Sequence, residues 1–209
     1  IAMANPALPG IGLTRLRILI AQRDWLAVHE LSADLQGLLP GEALPYYAAA
    51  ESTLFLGNTA EFQRVIAQGA AIAPNWLALR HLHARHLLLL GDGDAAVDIL
   101  RSITADPGFS RYLDRGAVWR DQVVAAQIIR DFDLEEEAAD QACQSDAQDP
   151  LGWMQKAWVL NRAADSEGAR RALGSVDLTR LTGEKRSHYG LLMARLLEAT
   201  AYDQAAIEE

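Results

Sequence analysis

Apolar residues recur three and four positions apart in stretches of about a dozen residues, the pattern of amphipathic helices rather than strands. Four prolines punctuate it, Pro40, Pro74, Pro107 and Pro150, with gaps of 34, 33 and 43 residues. Each closes a stretch of helical pattern, and between successive prolines the pattern divides into two segments. The breaks within the pairs read Gln22-Arg23-Asp24, Gly57-Asn58-Thr59, Gly91-Asp92-Gly93-Asp94, Asp131-Phe132-Asp133, Ala164-Asp165-Ser166 and Ala199-Thr200-Ala201. Glycine suits the end of a first helix, and Asp, Asn, Ser or Thr the start of a second. Asn58 with Glu61, and Asp133 with Glu136, have capping-box spacing. Punctuation at a fixed period predicts an array of helix pairs, stabilised mainly by stacking one pair on the next.

The pattern resembles the tetratricopeptide repeat, a helix-turn-helix unit of about 34 residues. Trp153, Lys156, Ala157 and Leu160 fall at the first-helix spacing of that family, followed by Ala169 and Leu173 on a second helix. Further copies read Tyr189, Leu192, Met193 and Leu196, then Tyr202 and Ala205, and Ala84, Leu87 and Gly91, then Ala96, Leu100 and Ile103. Aligned on the second-helix small residue, the copies place Val28, Phe62, Ala96, Ala138, Ala169 and Ala205 in register. Small residues there let two helices approach closely. Val28 and Phe62 break that rule, so the first two pairs are expected to diverge. Trp76, Leu79, Leu100, Trp119, Ile128, Trp153 and Leu173 are expected to fill the layers between pairs.

The resemblance implies an all-α fold, a right-handed α-solenoid of antiparallel helix pairs forming a superhelix. Residues 1–10 are expected to lie outside it. One array over 11–209 would comprise pairs at 11–40, 41–74, 75–107, 108–150, 151–181 and 182–209, about five and a half repeats. The enlarged gap before Ala138 predicts an insertion within Gly108–Arg115, and Asp177–Thr182 an altered connection. The last copy stops at Glu209 in mid-repeat, so a longer protein, or self-association through an open last pair, is expected.

Composition fits. The 209 residues include 37 Ala and 31 Leu, both strong helix formers, and 7 Pro. The formal charge is -9, all of it carried by residues 91–209, which argues against phosphate-driven nucleic-acid binding. No apolar run approaches a membrane span and no secretory signal is visible, so a bacterial cytoplasmic protein is expected. Cys143 is the sole cysteine and reads as a small packed residue.

Candidate chemistry is sparse. His81, His83 and His86 share one segment, but only His83 and His86 share a face, and a zinc site would want i,i+4 spacing and a third ligand. Glu135, Glu136 and Glu137 crowd a helix start and read as a cap and solvated face. Gly91-Asp92-Gly93-Asp94 reads as a repeat turn. No nucleophile elbow, phosphate loop or calcium loop occurs, so no catalytic, cofactor or metal residue is assigned and no enzyme is expected.

What remains is the surface that first helices line in tetratricopeptide arrays. By resemblance, its exposed positions here are Arg17, Tyr47, Glu51, His81, Arg85, Arg120, Gln127, Met154, Trp158, Asn161 and Arg162. The mixture of aromatic, Arg and amide residues suits a protein interface; packing of Met154 and Trp158 between helices is the alternative. The family's clamp for a C-terminal carboxylate uses Lys and Asn, whereas His81, Arg85 and Gln127 stand at those places, so a chaperone tail is not the expected ligand. The resulting expectation is a non-catalytic scaffold for a protein or peptide partner, without membrane insertion. The alternative is a recognition or oligomerisation region of a larger enzyme, such as a glycosyl- or sulfotransferase.

Overall fold

The computed structural model describes residues 9–194, and among these every regular element is helical. In chain order come α1 (Pro9–Gln22) paired with α2 (Trp25–Leu38), α3 (Ala43–Phe55) paired with α4 (Thr59–Ile72), and then α5 (Leu77–Leu90) and α6 (Gly93–Thr104). They continue with α7 (Arg115–Ile129) and α8 (Phe132–Ser145), then α9 (Pro150–Arg162) and α10 (Ser166–Gly174). A further helical stretch covers 183–194. The proposed second helix of the last copy, with Tyr202 and Ala205, and the chain end at Glu209 lie outside the described residues.

One device repeats at each break inside a pair. A residue in the left-handed region ends the first helix: Arg23, Gly57, Gly91, Arg130 and Ala164, with φ of 58°, 74°, 77°, 59° and 63°. The next residue, Asp24, Asn58, Asp92, Asp131 or Asp165, caps the second helix by accepting the N–H three positions on. The accepted bonds measure 3.3, 3.2, 3.2, 3.0 and 2.8 Å. Side-chain capping of this kind satisfies a helix-start donor and stabilises by about 1 kcal/mol. The Asp133/Glu136 reading needs correction, because Asp131 is the cap and Asp133 already lies in the first turn.

The chain packs as two compact units, 1–86 and 87–209. In unit 1, Leu16, Val28, Leu31, Leu35 and Ala48 form one core cluster. Tyr46, Ala49, Ala50, Phe62, Val65, Ile66, Leu79 and Leu82 form another. Val28 and Phe62, the large residues at the expected small position, are fully buried, and Phe62 stacks on the His86 ring at 4.1 Å.

In unit 2, Val123, Ala138, Ala139 and Val159 tie α7, α8 and α9 together. Met154, Ala157, Ala169, Ala172, Leu173, Val176, Leu181 and Leu192 join α9, α10 and the stretch 183–194. Ala138 and Ala169 are fully buried, as close helix contact requires. Gly93 allows a tighter approach, since a Cβ there would meet Ile129 Cγ2 at 2.7 Å and Ile128 Cγ2 at 2.8 Å. Ile128, although 39% exposed, packs against α6 of the preceding pair through this contact with Gly93. The insertion forms a short 3-10 turn, Phe109–Arg111, whose buried Phe109 meets the Trp119 ring edge-on at 5.9 Å. A second 3-10 turn, Leu178–Arg180, makes the altered connection. No helix among the described residues is long and apolar enough to cross a membrane.

Candidate functional site

In unit 2, α7, α9 and the stretch 183–194 line an open groove of about 470 Å³. Its apolar wall is Leu151, Met154 and Trp158 from α9 with Leu191 from 183–194. The polar wall is Arg120, Asp121 and Gln127 from α7, Gln155 from α9 and His188. Every lining residue belongs to α7, α9 or the stretch 183–194. The volume lies within the range of sites that hold a small ligand or a few peptide side chains.

Fixed polar contacts shape the wall. Arg120 is ion-paired with Asp149, the residue that caps α9. Gln155 Nε2 donates to the Arg120 carbonyl at 3.2 Å, while Gln155 Oε1 is shielded from water without a hydrogen-bond partner. Gln122 is 3% exposed and its Oε1 is in the same condition. A shielded acceptor without a donor costs about 1–3 kcal/mol.

Beside the groove lies a charge cluster that sequence reasoning missed. Glu135 is fully buried, contrary to its expected place on a solvated face. Its carboxylate accepts from Gln127 Nε2 at 2.7 Å and is ion-paired with Arg162. Arg162 also lies over the Phe132 ring, 4.5 Å from its centroid. One carboxylate therefore ties α7, α8 and α9 together, and Gln127 and Arg162 spend polar atoms inside the protein. Low dielectric strengthens such a pair, but each partner is costly to leave alone.

In unit 1, Tyr47 and Glu51 sit one turn apart on α3. Burial raises the Glu51 carboxyl above the usual range, opposed by a hydrogen bond from Tyr47 and by the charges of Arg85 and Arg23. Glu51 Oε2 is shielded and lacks a hydrogen-bond partner. The Tyr47 ring lies 5.3 Å from Trp76. Arg17 is exposed on α1, and Arg85 is half-buried on α5.

The expected positions therefore divide. Arg120, Gln127, Met154 and Trp158 meet at the groove, where Met154 also belongs to the core and Trp158 is half-buried. Tyr47, Glu51 and Arg85 meet in unit 1. Asn161 is half-buried on α9 and does not line the groove. His81 is 4% exposed, and burial lowers the pKa of His83 and of His86. No group of three or more His, Cys, Asp or Glu among the described residues could hold a metal ion. Cys143 is buried, which pushes its thiol up to about 11.

No family model matches the sequence, and no curated protein matches it. Solved structures do resemble the fold. PilW, described as a type IV pilus biogenesis factor, superposes with a TM-score of 0.81 at 17% identity, over 98% of this chain and 91% of that one. TTC0263, a thermophilic TPR protein of Thermus thermophilus, gives 0.66 at 16% identity over 92% and 99%. YrrB, a TPR protein with an unusual peptide-binding site, gives 0.58 at 11% identity over 85% and 89%. The fold is an all-α solenoid of the tetratricopeptide type.

Proposed function

We propose that the chain is a non-catalytic interaction scaffold whose groove in unit 2 holds an extended peptide of a partner protein. The observation that carries this reading is a groove lined by α7, α9 and 183–194, apolar on one side and polar on the other. Leu151, Trp158 and Leu191 supply the contact for one or two apolar side chains of the peptide. Gln155, its amide nitrogen already held by the Arg120 carbonyl, offers its oxygen to a main-chain N–H after a small adjustment. The peptide-binding site named for the YrrB structure is in keeping with such a role. The pilus assignment of PilW supplies no partner chemistry that this groove could be matched to.

Selection from a random dodecapeptide display library, followed by calorimetry on the enriched peptides, tests the reading. Enriched peptides should bind wild type and lose affinity about tenfold or more with Trp158→Ala or Leu191→Asp, the loss expected on truncating a buried anchor. Enrichment of no peptide, or equal affinity for all three proteins, overturns it.

A further inference from the structure

The breaks inside the helix pairs of unit 1 carry large apolar residues where turns ordinarily carry polar ones. Leu26 stands two residues after the α2 cap, and Phe55 and Leu56 immediately precede the left-handed Gly57. All three are about half exposed or more. The two breaks are neighbours in space, because the Trp25 ring stacks on the Phe55 ring with 4.2 Å between centroids and 7° between planes. Trp25 in turn packs against the cluster of Leu16, Val28, Leu31, Leu35 and Ala48, so the patch is anchored in the core.

Area, hydrogen bonding and charge together select what covers this edge. Half-exposed residues of this size offer about 100 Å² each, far less in sum than the ~800 Å² that each partner of a stable dimer buries. The backbone of the edge is satisfied from within. The N–H groups of Arg23, Asp24, Gly57 and Asn58 donate to the carbonyls of Ile20, Leu19, Leu54 and Thr53, and the Asp24 and Asn58 side chains accept from the Ala27 and Glu61 N–H groups. Such an edge can leave water without stranding these donors, which is the condition a lipid interface sets. Residues 22–26 and 55–59 hold only Arg23 and Asp24 as charges. At the breaks of unit 2, by contrast, the exposed Leu89, Leu90 and Phe132 have Asp92, Asp94, Asp131 and Asp133 beside them, whose hydration holds those turns in water. Aromatic and aliphatic side chains beside a long Arg are residue types that settle at bilayer interfaces.

We propose that the turn edge of unit 1 is a lipid-docking surface, through which Leu26, Phe55 and Leu56 enter the headgroup region of a zwitterionic bilayer without any helix crossing it. Zwitterionic lipid is the favoured class because the edge has no net charge, whereas the chain as a whole carries -9 and is repelled by anionic lipid. Docking is reversible, since so few side chains give at most the affinity of a single acyl chain, about 10⁴ M⁻¹. None of these residues lines the unit 2 groove, so either assignment can fail without the other.

The test is co-sedimentation of the full chain with sucrose-loaded phosphatidylcholine vesicles at about 1 mM lipid, a concentration at which binding of this strength is measurable. Wild type should sediment with the vesicles equally in about 50 mM and about 500 mM NaCl, because screening acts on charges and not on apolar insertion. Leu26→Ser/Leu56→Ser keeps the stacked rings and should lower partitioning about tenfold or more, the loss expected when two apolar side chains no longer leave water. Phe55→Ser should act in the same direction; if circular dichroism shows that losing the stack disturbs folding, the double variant alone carries the comparison. Leu89→Ser/Leu90→Ser makes the same chemical change at a break of unit 2 and should bind as wild type does. Light scattering without lipid completes the test, with a monomer expected. No sedimentation, binding that requires phosphatidylglycerol and vanishes at high salt, or equal losses in the two double variants overturns the proposal. So does a dimer that dissociates in Leu26→Ser/Leu56→Ser, which would assign the edge to a second copy of the chain.

Discussion

Ala164 and its neighbour Ala163 offer a paired experiment in which one chemical change should act with opposite signs. Ala164 ends α9 with φ of 63°, where its Cβ crowds the following carbonyl. An L-residue in that conformation costs about 1–2 kcal/mol relative to glycine. Its side chain is exposed, so Ala164→Gly gives up no packing. The greater freedom of glycine in the unfolded chain takes back about 0.4–1 kcal/mol, leaving a net stabilisation of about 0.5–1 kcal/mol. Ala163, with φ of -76°, carries no such strain. Ala163→Gly meets only the entropic term and should destabilise by about 0.5–1 kcal/mol. The two variants then differ by about 1–2 kcal/mol, or about 2–8 °C in Tm for a chain of this length. Thermal melts followed by circular dichroism at 222 nm, with urea titrations beside them, measure both. A lower Tm for Ala164→Gly, or equal shifts in the two variants, would refute the strain argument and with it the account of these turns.

Three further outcomes follow from the packing. Gly93→Ala should cost about 1–3 kcal/mol by forcing a methyl into Ile128 and Ile129, measured by urea unfolding; an unchanged midpoint would mean that α6 and α7 separate freely. Arg162→Ala should cost about 2–3 kcal/mol, discounted because the Arg162 side chain is 36% exposed, since it leaves the buried Glu135 with Gln127 alone. The double variant Glu135→Leu/Arg162→Leu should recover at least part of that loss, and a double variant worse than the single one would contradict the pair's role. The pH dependence has a definite sign. Burial depresses the pKa of His86, with the His83 charge adding to it, so between the folded pKa and the unfolded value of about 6.5 the unfolded chain binds the extra proton. Stability from this ring is therefore complete above pH 6.5 and declines as pH falls below it. His86→Leu should flatten the profile of unfolding free energy between pH 7 and pH 5, and a slope unchanged in that variant would assign the effect to another group.

Most of the architecture can be read in the chain because its signals are local. Prolines and turn residues mark the pair boundaries, and Asp24, Asn58, Asp92 and Asp165 stand where the caps belong. The 3-10 turn Phe109–Arg111 follows from the enlarged spacing before Ala138. What local reading misses is governed by distant partners. Glu135 sits inside a run of three glutamates, and its burial is legible only through Arg162, 27 residues on and on another helix pair. Asp131 wins the capping position from Asp133 because Arg130 adopts the left-handed conformation, which its identity does not advertise. Groove positions read from a repeat template likewise locate the layer a residue occupies. They do not show that Gln127 and Arg162 are committed to a buried carboxylate.

The buried Cys143 gives unit 2 a built-in clock. With its thiol pushed up to about 11, about one molecule in a thousand carries the thiolate at pH 8, and the sulfur is shielded in α8 besides. A disulfide reagent should therefore modify the native chain on the timescale of helix opening rather than of chemistry. As the sole cysteine, it reports one site without engineered thiols. The rate at which colour develops, compared with the unfolded chain, measures how often the α8 layer breathes. A peptide seated against α7 and α9 should slow that rate, so occupancy of the groove can be timed from a thiol on a different helix.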